Sequence, residues 1–141
     1  TSSMNFPEIL THTATLARKI TISGFQPDSL VGLARGGWIP TRLLSDALSV
    51  REILSIGMRY SDARRTSLVA YSLPAPMPTG KRLLLIEDCL ESGKSLLAAQ
   101  RILESAGNQV RTACLFITDG TPLEPDYFLA RLPAPPRFPW E

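Results

Sequence analysis

Residues 83–95, LLLIEDCLESGKS, carry the strongest structural signal in the chain. Leu83, Leu84, Leu85 and Ile86 are apolar without interruption. A strand reads this way when helices cover both of its faces, whereas a half-exposed strand would alternate. The run ends on two adjacent carboxylates, Glu87 and Asp88, then a short turn with Glu91, then Ser92, Gly93, Lys94 and Ser95 opening a helical pattern. Gly93-Lys94-Ser95 after a strand invites a P-loop reading, but the position where that motif needs its first glycine is Asp88. The two halves of the stretch ask for different ligand groups. Free amides and the dipole of a helix N-terminus attract a phosphate. Carboxylates repel one, but accept from hydroxyls and bind hard cations. A ligand with a phosphate at one end and hydroxyls or a bound Mg²⁺ at the other satisfies both, and a ribose 5-phosphate moiety is such a ligand.

Outward from this stretch the same organisation repeats. Downstream, Leu96, Ala99, Leu103 and Ala106 share one helical face, Gly107-Asn108 is a stop signal, and residues 110–117 read as a strand. Upstream, residues 30–34 (LVGLA) are a short apolar run, Arg35-Gly36-Gly37 a turn, and Ile39, Leu43, Leu44, Ala47 and Leu48 the buried stripe of a helix. A strand over residues 53–59 completes a βαβ unit, which crosses over right-handed by rule. An amphipathic helix is expected over residues 7–23. Polar residues 60–67 (YSDARRTS) read as a mobile loop, residues 68–72 as a short return strand, and Pro74, Pro76 and Pro78 as breakers. Residues 133–139 are proline-rich and expected to be irregular. The predicted class is α/β, an open and mostly parallel sheet flanked by helices, with a binding site at the carboxyl ends of its strands.

Composition narrows the function classes. At 141 residues the length suits one domain, taken as residues 4–141 with Thr1 to Ser3 set aside. A net charge of +2 is too small for a broad field that would draw the chain onto nucleic acid. Cys89 and Cys114 lack CxxC spacing and are too few for a disulfide framework, so a reducing cytoplasm is the expected setting. The apolar runs fall far short of the ~20 residues that span a bilayer, so no membrane association is expected.

Residues 83–95 resemble the 5-phosphoribosyl 1-pyrophosphate (PRPP) binding motif of the type I phosphoribosyltransferases. In that family an apolar strand ends in an acidic pair before a phosphate-binding turn of small and hydroxyl residues. Residues 30–44, LVGLARGGWIPTRLL, are similar to its first strand and pyrophosphate loop. Phe138-Pro139-Trp140-Glu141 resembles the tail of its bacterial and archaeal xanthine-guanine and hypoxanthine members. The resemblance implies a Mg²⁺-dependent transfer of the phosphoribosyl group from PRPP to a nucleobase, a purine by preference, in a homo-oligomer whose terminal segments form a small hood. It assigns Arg35 and Gly36 to pyrophosphate, and Arg65 to the same group from the loop at residues 60–71, which would close over the reactants. It gives Glu87 and Asp88 to the ribose hydroxyls and Mg²⁺, with Asp88 the metal ligand, and Ser92, Gly93, Lys94 and Ser95 to the 5-phosphate. Glu91 stands where purine members place an aspartate near the base, and with Glu87 and Asp88 makes up the catalytic set. A cationic ribosyl centre develops as pyrophosphate leaves, which is the charge that nearby carboxylates stabilise.

The chain also departs from that pattern. A lysine that purine members direct at the base oxygen is Thr118 here, the stacking aromatic falls at Pro135, and the aliphatic beside it at Pro136, which is kept as a base contact. Two alternatives follow: a PRPP- or nucleotide-sensing regulator that kept the phosphate cradle, and a hydrolase of phosphoribosyl compounds. Plainer readings stand beside the chemical ones. Arg64 and Arg65 suit solvated loop charges, His12 a packing residue, Cys89 a small apolar filler, and Trp38 and Trp140 packing or interface aromatics.

Overall fold

In the computed structural model, which describes residues 3–141, the elements follow the order α1 (Phe6–Ile22), β1 (Ser29–Leu33), α2 (Trp38–Leu48), β2 (Ile53–Tyr60), β3 (Leu68–Ser72), β4 (Arg82–Leu90), α3 (Lys94–Ser105), β5 (Gln109–Thr118) and β6 (Ala130–Leu132). The strands form one sheet in the order β3-β2-β1-β4-β5-β6. All neighbours are parallel except β3, which returns antiparallel to β2. The expected open α/β sheet is the fold found.

Helices cover both faces, which is why β1 and the first half of β4 are buried on both sides. Ile9, Leu16 and Ile20 of α1 and Leu44 of α2 pack with Leu84, Ile86 and Leu115 on one face. Leu96, Ala99 and Leu103 of α3 pack with Val31, Leu33, Leu83 and Leu85 on the other. The chain leaves β1 toward β2 on one side and reaches β4 on the other, so the switch point of the sheet lies between β1 and β4.

Local chemistry accounts for the element ends. Asn5 and Glu8 form a reciprocal capping box at the start of α1, with Glu8 N–H donating to Asn5 Oδ1 at 2.9 Å and Asn5 N–H to Glu8 Oε1 at 3.2 Å. Gly93 opens α3 in the left-handed region at φ +78°. A Cβ on Gly37 would meet the backbone oxygen of Ile86 at 2.2 Å, so only glycine lets the turn after β1 pass this close to β4.

Three details go beyond the sequence pattern. First, β4 does not stop at the acidic pair: it runs to Leu90, because β5 continues beside it through Leu90↔Ile117 while β1 pairs only as far as Ile86. Second, only part of the segment at residues 60–71 is loop, since residues 68–72 form the expected return strand. Tyr60 ends β2 and Leu68 begins β3, and the seven residues between are tied by Asp62, whose carboxylate accepts from the N–H groups of Thr66 (3.0 Å) and Ser67 (3.2 Å) and from the Thr66 hydroxyl. Third, β6 is an added strand that three short residues of weak periodicity do not announce.

The side-chain alternation of β4 and β5 slips by one at the carboxyl end. Leu84 and Ile86 face the α1–α2 layer and Leu83 and Leu85 face α3, yet Cys89 packs toward the α1–α2 layer and Leu90 toward α3. On β5, Leu115 and Phe116 both face the α1–α2 layer. Both strands slip together, so the ladder continues at Cys89↔Phe116. The slip places Phe116 beneath the chain's C-terminal tail.

Candidate active site

Two chain turns meet at the switch point. After β1, the turn carrying Arg35, Gly36 and Gly37 is closed by the Gly37 N–H to Leu33 O (2.9 Å) and the Trp38 N–H to Arg35 O (3.0 Å), and the Ala34–Arg35 peptide is cis. At the end of β4 stands Asp88. A Cβ on Gly36 would lie 2.6 Å from Asp88 Oδ2, so glycine is what permits the carboxylate to rest against this turn. The Asp88 carboxylate accepts from the Cys89 N–H at 2.6 Å and from the Trp140 indole N–H at 3.2 Å.

Glu87 precedes Asp88 on β4 and lines the same cavity. It accepts from the Asp88 N–H at 3.0 Å. Burial, then the neighbouring Asp88 charge, holds its carboxyl well above the ordinary carboxylate range. Beyond it, the Glu91 turn is fastened from below: the Thr121 hydroxyl lies 2.9 Å from Leu90 O and 2.7 Å from Glu91 O. The amides at the start of α3 precede its first intrahelical bond, Leu97 N–H to Gly93 O at 3.0 Å, and the Lys94 N–H donates to Ser92 Oγ at 3.3 Å.

A cavity of about 250 Å³ gathers Glu87, Asp88, Glu91, Ser92, Gly93, Lys94, Ser95 and Pro136. An adjoining one of about 550 Å³ is lined by Arg35, Gly36 and Trp38 and shares Asp88 with the first. A third, about 500 Å³, lies under Ser3, Pro135, Pro136 and Arg137 and shares Glu91. The residues singled out in the sequence are therefore brought together, with one exception. Arg65 lines none of the three cavities: it sits exposed in the β2–β3 loop with its guanidinium 4.7 Å from the centre of the Tyr60 ring.

The terminal segments do form a roof. The Met4 N–H donates to Arg137 O at 3.0 Å, and Ser3 bridges Arg137. Trp140, which the sequence alone allows to close the base pocket, and Glu141 line the cavities without being among the expected site residues. Thr118 is buried, its hydroxyl 3.1 Å from that of Thr121, and it lines none of these three cavities. Cys89 is half-buried at the cavity wall, and burial with the surrounding acidic charges pushes its thiol up to about 12, so it is no nucleophile at neutral pH. His12 packs edge-on against Phe116, ring centres 5.3 Å apart, as a packing residue would. No group of three or more His, Cys, Asp or Glu side chains forms a protein-only metal cage among the described residues. Among the described residues, no helix is long and apolar enough to cross a membrane.

Solved structures share this fold over nearly the whole chain. A purine phosphoribosyltransferase from Pyrococcus horikoshii superposes with a TM-score of 0.88 at 26% identity, covering 99% of this chain and 92% of that one. The xanthine-guanine-hypoxanthine phosphoribosyltransferase of Helicobacter pylori gives 0.86 at 23% identity over 99% and 92%. A hypothetical protein from Neisseria gonorrhoeae with bound ppGpp gives 0.88 at 19% identity over 99% and 88%; at the last two identities the likeness is one of fold. No curated protein sequence matches the chain. The profile described as the phosphoribosyl transferase domain matches residues 4–136, a span that holds the glycine turn, the acidic pair and the start of α3, and the chain belongs to that family.

Proposed function

We propose that the protein transfers the 5-phosphoribosyl group of PRPP to a purine base with release of pyrophosphate. The observation that carries this reading is the contact of Asp88 with the Gly36 turn. It sets a carboxylate at the junction of two cavities, one lined by the Arg35–Gly36 turn and one by the start of α3, an arrangement that suits a sugar bearing a phosphate group at each end. In this reading Ser92, Gly93, Lys94 and Ser95 hold the 5-phosphate, Arg35 and Gly36 hold pyrophosphate, and Glu87 and Asp88 receive the ribose hydroxyls. Glu91 and Pro136 border the base. Arg65 would have to leave the Tyr60 ring to reach pyrophosphate.

The donor set suits Mg²⁺, which takes one or two carboxylates and completes its shell with substrate phosphates rather than a protein cage. Asp88, with Glu87 behind it, would hold the ion, which when bound supplies charge neutralisation at the phosphates. The chain's own residues do the remainder. Fixed amides and Arg35 bind the departing group, the carboxylates lie beside the sugar carbon where positive charge develops, and the roof of residues 135–141 limits water. A general base at Glu91 adds about 10²- to 10⁴-fold where it is engaged.

A second reading rests on Thr118. Its buried, internally bonded hydroxyl offers the base nothing, and the similar Neisseria gonorrhoeae protein holds a guanine nucleotide, ppGpp. A nucleotide-sensing regulator of the same fold fits both facts. The two readings part in one experiment. Purified protein with Mg²⁺, PRPP and a panel of purine and pyrimidine bases is assayed for nucleotide and pyrophosphate, alongside calorimetric titration with PRPP and ppGpp. Base-dependent nucleotide formation supports transfer; tight binding without turnover on any base supports the regulator. A cytoplasmic homo-oligomer completes the proposal.

A further inference from the structure

Trp140 is joined to the acidic pair through a stack that starts in the sheet. Phe116 of β5 is buried and lies one register step past Asp88, opposite Cys89. Phe138 stacks on it with ring centres 6.5 Å apart and planes 21° from parallel, and is itself only 3% exposed. Trp140 stacks on Phe138 at 4.7 Å and 6°, and Phe6 of α1 closes the outer side at 6.3 Å. The indole is thus fixed by a buried aromatic column, and the Met4–Arg137 bond ties down the backbone that carries it. Its N–H ends 3.2 Å from Asp88 Oδ2. With Oδ1 engaged by the Cys89 N–H, Trp140 is the side-chain donor that sets the rotation of this carboxylate.

We infer that Trp140 is a positioning residue that orients the Asp88 carboxylate for the ribose end of the ligand. The inference rests on the functional reading above and adds a role for the tail. A carboxylate held only by its own strand could rotate about its last bond, and the Gly36 turn leaves open space in the cavity that Trp140 and Trp38 line. A neutral, rigid donor removes that freedom without cancelling the charge, as a lysine or arginine would.

The test uses the full chain. Trp140→Phe keeps the stack and deletes the donor. The expected result is a loss of about tenfold in affinity for PRPP with Mg²⁺ by calorimetry, the scale of one hydrogen bond to a charged group. In turnover, KM for PRPP rises or kcat falls while KM for the base stays unchanged. Wild-type affinity in Trp140→Phe overturns the inference, as does a rise confined to the base KM. A second measurement stands apart from function. The chain has two tryptophans, so Trp38→Phe leaves Trp140 as the sole indole. Adding Asp88→Ala in that background shifts its fluorescence emission if the contact exists, and an unchanged spectrum overturns the inference. If wild type binds no PRPP, the functional reading fails and takes the ribose role with it, while the fluorescence result still decides the contact.

Discussion

At the scale of single residues, Glu87 carries the clearest consequence. A buried carboxyl whose folded pKa is raised binds its proton over a range where the unfolded chain has already lost it. The folded state then holds more protons, so stability falls as pH rises from the ordinary carboxylate value through the raised one. Glu87→Gln removes this dependence. Its melting temperature should match wild type in acid and exceed it increasingly toward neutral and alkaline pH, measured without Mg²⁺ or PRPP; equal slopes for both proteins contradict the assignment. Asp88 differs by its surroundings, resting against a glycine turn and an indole donor. Asp88→Asn keeps that shape and should weaken Mg²⁺-dependent PRPP binding by at least about tenfold, the effect of removing one charged hydrogen-bond partner, with little change in melting temperature.

At the scale of elements, α2 is docked on β1 through a gap that two residues share. A Cβ on Gly32 would lie 2.9 Å from Thr41 Oγ1, and that hydroxyl is buried with no partner. Thr41→Val removes the unpaired hydroxyl at similar volume and should leave stability unchanged or raise it by up to about 1 kcal/mol, read from the urea midpoint. Gly32→Ala should cost about 1–3 kcal/mol in the same assay, because the helix must move outward. The loop between β2 and β3 is organised by its own polar groups. The string of residues 60–67 has little to bury, and Asp62 supplies its turn with internal acceptors. Its carboxyl is held below the usual range, first by the Thr66 hydroxyl.

At the scale of the whole molecule, the site is assembled from segments far apart in sequence: the turn at residues 35–37, the β4–α3 stretch, and the tail at residues 135–141. Ligand that bridges them should stabilise all three together. PRPP with Mg²⁺ at a hundred times its Kd adds about 2.7 kcal/mol, visible as a thermal shift. Ending the chain after Arg137 removes Phe138 and Trp140 from the column on Phe116, and should both lower the melting temperature and reduce that shift.

The order of strands and helices, the doubly covered β4, the acidic pair and the phosphate-type helix start were all legible in the sequence. Each is written in neighbouring residues through an apolar run, a 3.6-residue period or a glycine stop, and local backbone preferences act over that range. The added β6, the extension of β4 past Asp88 and the distance of Arg65 from the cavities were not legible. Neither was the hold of Trp140 on Asp88, across 52 positions of chain. These depend on which strand lies alongside and which ring stacks on which, and such contacts between remote segments exist only once the sheet and both its layers have packed.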